Sequence, residues 1–291
     1  MKPILMLKHD YGQLGNRLHT HANALAWCLE KKLDLLNLSF VNYAHHFQGG
    51  RQCSADRHLL QSPILRVLLH IPRMVAFLQR IALSDRHLSR LGSQVRLLTR
   101  ADDETLTEED LDHAGNASPH PRVMLVRAWD IQCPNALSNQ SDRVRQVLTP
   151  KKKYVEEVNR LLASLPPHDF LVGIHARRGD YANWQDGRHF HSWRQYREWL
   201  LQVHDQLLKK KRKPAYLICS DELPPRDAFD PIKPAMSSRS LMTDLHALSC
   251  CQLILGPPSS FGSWASFYGE APRLCLQKNE AITSLPLQPH S

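Results

Sequence analysis

The chain has 291 residues, 42% of them apolar, and a formal charge of +9 from 37 Lys and Arg against 28 Asp and Glu. That length accommodates one large or two ordinary domains, and the apolar share builds packed cores, which excludes a disordered or fibrous chain. The seven cysteines (Cys28, Cys53, Cys133, Cys219, Cys250, Cys251 and Cys275) are odd in number and contain no Cys-x-x-Cys. They read as reduced core thiols of a cytoplasmic protein rather than a disulfide framework. Between Met1 and Asp10 only four consecutive residues are apolar, too few for a signal peptide or a membrane span.

In chain order, Ile4 to Leu7 reads as a first strand, Tyr11 to Asn16 as a turn, Arg17 to Lys32 as a helix and Leu33 to Phe40 as a second strand. This βαβ order predicts a parallel sheet at the amino end. Gly12 and Gly15 leave backbone N–H groups free where the helix starts, a place that favours an anion or phosphate. Gly12-x-x-Gly15 lacks the full dinucleotide fingerprint and the P-loop lysine, so alone it reads as a tight turn.

His58 to Leu83 is apolar at helical spacing and broken by Pro63 and Pro72, which predicts a helical insertion with a basic face. Arg51 to Arg100 hold nine arginines against Asp56 and Asp85, and Asp102 to Asp112 then carries seven acids. The basic stretch implies an anionic partner or surface, and peripheral association with an inner membrane face would suit it. The acidic run neutralises it or forms a solvated loop. Aromatics are not interleaved with the basic residues and no zinc spacing occurs, so nucleic acid is not an expected partner. Val123 to Val126 is a further strand, Lys151 to Ala163 a strong helix, and Pro166-Pro167 the natural boundary between domains 1–165 and 166–291.

The second half opens on Gly173 to Tyr181, where the apolar run Leu171, Val172, Ile174 empties into His175, Arg177, Arg178 and Asp180. In open α/β sheets ligands bind outside the carboxyl ends of strands, and arginine's planar fork suits phosphate oxygens. Adjacent arginines on a strand point to opposite faces, so one can meet a ligand while the other braces the loop or pairs with Asp180. A helix over Trp193 to Lys210 follows, then a strand from Ala215 ending in Ser220-Asp221. Thr243 to Cys250 forms a short helix, and the strand Gln252 to Leu255 runs into Gly256 to Trp264. If the strands are parallel, their polar loops share one rim. Structural readings stand beside these: an ordinary surface Arg-Asp pair, a core His175, Asp221 as a turn cap, and Ser259-Ser260 as the cap of a helix after Pro258. Trp264 and Phe267 read as core.

Four segments in this order resemble the GDP-fucose-dependent fucosyltransferases, most closely the bacterial α-1,2 type: Gly12 to Leu18, His175 to Tyr181, Cys219-Ser220-Asp221, and Asp244 to Trp264. The resemblance spans residues 4 to about 270. It implies a two-domain α/β GT-B fold, with two Rossmann-type domains around a cleft and a helical insertion in the first. It also implies an inverting, metal-independent enzyme without cofactor, moving fucose or a related sugar from a GDP-sugar to a glycan acceptor. By that likeness Arg178, with Arg177, would meet the β-phosphate, and Asp180 would orient the arginines. His175 and Asp221 would serve the nucleoside; Ser259, Ser260 and Phe261 would meet the phosphates; Gly12, Gly15 and Asn16 would reach across the cleft. Asp10 and His19 flank the glycine loop and are the candidates for general base. Departures at Arg17, His19, Ala176 and Phe261 to Ser266 leave donor sugar, acceptor and linkage open, and a non-catalytic glycan- or nucleotide-binding protein of the same fold is the alternative.

Overall fold

A computed structural model describes residues 4–7, 12–49, 95–101, 104–237, 240–278 and 280–287. The helical insertion expected over 58–83 and the candidate base Asp10 lie outside the described residues. The chain divides into two compact units, Met1–Lys151 and Lys152–Ser291.

The first unit contains β1 (Ile4–Leu7), α1 (Leu14–Lys31), β2 (Asp34–Asn37), α2 (Val41–Ala44), β3 (Val95–Thr99) and β4 (Thr105–Thr107). It continues with α3 (Glu108–Gly115), β5 (Val123–Arg127), β6 (Asp130–Gln132), α4 (Pro134–Asn139) and α5 (Ser141–Val147). Its main sheet has the order β2-β1-β5-β3 and is parallel throughout, with Leu5 opposite both Leu35 and Met124; β4 and β6 pair separately, also in parallel. Helix α1 starts three residues before the expected Arg17, because Leu14 and Leu18, one turn apart, are both fully buried. Strand β2 stops at Asn37 rather than Phe40. The Asn37 Oδ1 accepts the Ser39 N–H, the Ser39 hydroxyl and the Phe40 N–H at 2.6–3.2 Å, and this turns the chain into α2.

From Glu108 on, the acidic run is not a solvated loop but a capped helix. Thr107 and Asp110 form a capping box, and Glu108, Glu109 and Asp110 lie at the positive end of α3. Arg100 does neutralise Asp110, at 2.6 Å, while Asp112 accepts the Trp27 Nε1–H at 2.8 Å and pairs with Lys31 at 2.7 Å.

The second unit contains α6 (Lys152–Ala163), β7 (Phe170–Ala176), α7 (Trp193–Lys209), β8 (Pro214–Ser220), β9 (Ala235–Met236), α8 (Leu241–Ser249), β10 (Leu253–Gly256), α9 (Ser260–Gly269) and β11 (Arg273–Cys275). The unit boundary lies one helix ahead of Pro166-Pro167: α6 buries Tyr154 and Val158, and its Glu157 accepts from the Thr243 hydroxyl of α8 at 2.9 Å. The sheet is parallel in the order β11-β10-β7-β8-β9. All seven residues of central β7 are buried, as a strand covered on both faces requires. One face packs Val172, Ile174, Tyr216 and Ile218 against Tyr196, Trp199, Leu200, Val203 and Leu207 of α7. That helical stripe recurs every three to four residues, and each such side chain contributes about 1.5–3 kcal/mol on full burial.

The strand order places the functional loops. From β7 the chain moves to β8 on one side and later returns to β10 on the other. The carboxyl ends of β7 and β10 therefore flank the point where the order reverses, the position where doubly wound sheets open a crevice.

Candidate functional site

At that crevice β7 ends in His175 and Ala176 just before Arg177, and β10 ends in Gly256 before Pro257, Pro258 and Ser259. The two strands approach so closely that a Cβ on Gly256 would stand 2.8 Å from the His175 carbonyl oxygen. His175 is buried; its Nδ1 lies 3.2 Å from the Ser259 hydroxyl, and its ring tilts against Phe261 with centroids 5.0 Å apart. The Ser259 Oγ accepts the Gly262 N–H at 3.0 Å, capping α9, and the same hydroxyl lies within hydrogen-bond reach of the His175 ring. Burial, aided by the positive charges of Arg177 and Arg273, pulls His175 down to about 3. It is a neutral hydrogen-bonding ring near pH 7, not a base.

The two arginines part to opposite sides, as extended backbone dictates. Arg177 is gripped at both ends of its fork by the Asp180 carboxylate, with the Nε–Oδ1 bond at 2.8 Å, and its guanidinium carbon lies 4.8 Å over the Tyr181 ring. Tyr181 is fixed in turn, its hydroxyl donating to the Pro258 carbonyl at 2.8 Å. Hydrogen bonding to Asp180 holds Arg177 above its ordinary range and Asp180 below its own. Arg178 turns toward β8. It donates to Glu222 at 2.9 Å and to the His191 carbonyl at 2.5 Å, and it lies 4.6 Å and 4.7 Å from the Phe190 and Trp193 ring centroids. Asp180 thus orients Arg177, while Glu222 orients Arg178.

Asp221 spends both carboxylate oxygens on the loop backbone, accepting the Arg178 and Gly179 N–H groups at 2.9 and 2.8 Å. It builds the arginine loop from the end of the neighbouring strand. Ser259 caps α9 and touches His175, Phe261 lies against the same ring, and Ser260 opens the helix. The amino terminus of α9 therefore adjoins the arginine loop.

Three participants carried no signal in the sequence. Glu222 and His191 hold Arg178 from 44 and 13 residues away. Arg273 on β11 ties the β10–α9 loop by donating to the Pro257 carbonyl at 2.7 Å and the Ser263 hydroxyl at 2.6 Å. Burial lowers its pKa from the usual arginine value. Only the parallel pairing of β10 with β11 could have brought it to the site.

The remaining expected residues lie in the first unit. Gly12 has φ +74°, in the region that favours glycine, and its carbonyl accepts the Arg17 Nε–H at 3.0 Å; Arg17 also donates to the Ser39 carbonyl at 2.6 Å. Gly15 and Asn16 fall inside the first turn of α1 rather than in the turn before it. His19 is half-buried on α1. His21, on the same helix, is fully buried; it stacks on Phe40 at 4.3 Å, meets Asn37 at 3.0 Å and is pulled down to about 3 by burial. Among the described residues no group of three His, Cys, Asp or Glu side chains converges on a metal position, and no helix is long and apolar enough to cross a membrane.

No protein-family model matches the sequence, and no curated protein matches it significantly. Solved structures do. An Arabidopsis thaliana FUT1 mutant in complex with GDP aligns with a TM-score of 0.56 at 14% identity, covering 96% of this chain and 71% of that one. POFUT1 in complex with GDP aligns with a TM-score of 0.55 at 12% identity over 94% and 97% of the two chains. POFUT1 in complex with GDP-fucose aligns at 0.51 and 12% identity, with the same coverage. At these identities the likeness is one of fold, and the chain has the α/β fold with parallel sheets of the GT-B fucosyltransferase structures.

Proposed function

We propose that the chain is a glycosyltransferase that takes a GDP-sugar as donor, with the diphosphate seated at the carboxyl ends of β7 and β10. The observation that carries this reading is Arg177. It is a preoriented guanidinium at the strand-order reversal, beside the first turn of α9 and the neutral His175. Fixed N–H donors, a helix amino terminus and a permanent cation are the groups that stabilise negative charge as it builds on a departing diphosphate. The solved structures of like fold that hold GDP and GDP-fucose support the choice of nucleotide.

In this mechanism Arg177 takes the β-phosphate and Arg178 braces the loop, reversing the emphasis that the resemblance placed on Arg178. His175 offers a neutral hydrogen-bonding ring that burial protects from charging, and Phe261 supplies an apolar face beside it. Because these groups meet the leaving-group charge, we propose that transfer needs no metal ion and proceeds with inversion by direct attack of an acceptor hydroxyl. Fucose is the donor sugar we favour and a carbohydrate the acceptor class. His19 remains the candidate base within the described residues.

The test is calorimetric titration of GDP, ADP and UDP into the protein in EDTA. Selective GDP binding that Arg177→Ala weakens supports the proposal; absence of GDP binding, or strict dependence on added Mg²⁺, contradicts it.

A further inference from the structure

Directly after the arginine loop the chain makes two single turns of 3₁₀ helix, Asp180–Ala182 and Trp184–Gly187. Trp184 is 44% exposed, one of the few large apolar side chains left to solvent among the described residues. It is held in place by other rings: its centroid lies 4.9 Å from Tyr181 and 5.5 Å from His189. Tyr181 is the same ring that carries the Arg177 guanidinium and is tethered to Pro258. The exposed indole is thus the outer member of an aromatic stack rooted in the phosphate crevice.

The backbone goes out of its way to present it. Gln185 and Asp186 both adopt left-handed conformations, φ 48° and 55°, followed by Gly187 at 68°. Neither Gln185 nor Asp186 has a β-carbon suited to that region, so each is held there at a local cost. In the same short segment, Asn183, Gln185, Asp186 and Arg188 are exposed, and none of their side chains has a hydrogen-bond or ion-pair partner among the described residues. An exposed, ring-braced indole on a segment that also carries unengaged amide, carboxylate and guanidinium side chains matches one ligand chemistry closely. A pyranose ring offers an apolar C–H face to an aromatic ring and hydroxyls at its edge to polar groups.

We infer that Trp184, backed by Tyr181 and His189, is a sugar-stacking subsite that binds a pyranose ring of the carbohydrate substrate. This rests on the GDP-sugar reading, and it adds the residue that grips sugar as distinct from nucleotide. The ring it holds belongs either to the donor sugar or to the acceptor, and the test separates the two.

The experiment titrates wild type, Trp184→Ala and Trp184→Phe with GDP, with GDP-fucose, and with methyl β-galactoside and methyl β-N-acetylglucosaminide in the presence of GDP. The expected result is a loss of about fivefold or more in Trp184→Ala for a sugar-bearing probe relative to GDP, largely restored in Trp184→Phe. A loss confined to GDP-fucose assigns the ring to the donor sugar; a loss confined to a glycoside assigns it to the acceptor. Equal weakening of GDP and GDP-fucose would show that the indole serves the nucleotide, and unchanged sugar affinity would show that it serves no ligand; either overturns the inference. Wild type failing to bind GDP at all would sink the GDP-sugar reading separately, while the glycoside titrations would still decide the subsite.

Discussion

Replacing Arg177 with alanine should separate ligand binding from stability. The Arg177–Asp180 pair is partly solvated, with side chains 23% and 53% exposed, and such pairs contribute about 0–1 kcal/mol to folding. At roughly 2–4 °C per kcal/mol for a chain of this size, the melting temperature should fall by no more than a few degrees. Hydrogen bonds from a charged donor to phosphate are worth about 1.5–3 kcal/mol, so GDP affinity should fall about 10- to 150-fold. Arg177→Lys keeps the charge but loses the fork and should fall in between. Arg178→Ala should behave in the opposite way. Its side chain is only 14% exposed, and it loses the Glu222 and His191 partners and two aromatic faces. Those contacts amount to about 2–4 kcal/mol, or a fall of roughly 4–16 °C. Calorimetric GDP titration and thermal melts on both variants read the contrast. Arg177→Ala binding GDP like wild type, beside a folded Arg178→Ala that does not bind it, would refute the assignment of the two arginines.

Other substitutions and conditions probe the frame around the site. Gly256→Ala pushes a methyl to 2.8 Å from the His175 carbonyl and should cost about 1–3 kcal/mol in urea unfolding while also weakening GDP. Asp112→Ala leaves the Trp27 indole N–H without its acceptor and should cost about 1–3 kcal/mol, with no effect on GDP affinity. His175 and His191 are held near 3 and about 4, chiefly by burial, against an ordinary 6.5. The unfolded chain binds protons first as pH falls, so their contribution is complete above pH 6.5 and is lost progressively toward those lower values. The slope is up to about 1.4 kcal/mol per pH unit for each ring. Urea midpoints between pH 7 and pH 5 should show that slope, and His191→Gln should flatten it by one ring's share.

The long, strongly patterned elements were legible: β7, α7 and β8 announced themselves by an apolar run, a helical stripe and a second apolar run ending in polar residues. The parallel arrangement followed from their alternation. Short strands were not. β3 hides its pattern behind Arg96 in a basic stretch, and β11 is three residues long and takes its meaning only from pairing with β10. Like charges suggest a solvated loop, but from Glu108 on a Thr107–Asp110 capping box and the Trp27 and Lys31 partners make the acidic run a helix, while Arg100 provides the neutralisation also expected of it. In the site, the strand-end loops could be read from sequence because their residues are contiguous. What holds each side chain could not, since Glu222 and Arg273 act across long separations. Nor could sequence say which arginine faces the crevice: alternation predicts that they diverge, but only the position of β10 relative to β7 decides which way.

The central claim is glycosyl transfer from a GDP-sugar, and release of GDP from GDP-fucose across a glycan acceptor panel in EDTA tests it most directly. The account predicts acceptor-dependent GDP release with a glycosylated product detectable by mass spectrometry, and loss of that release in Arg177→Ala. GDP binding without release on any acceptor would contradict it and leave a nucleotide-binding protein of the same fold.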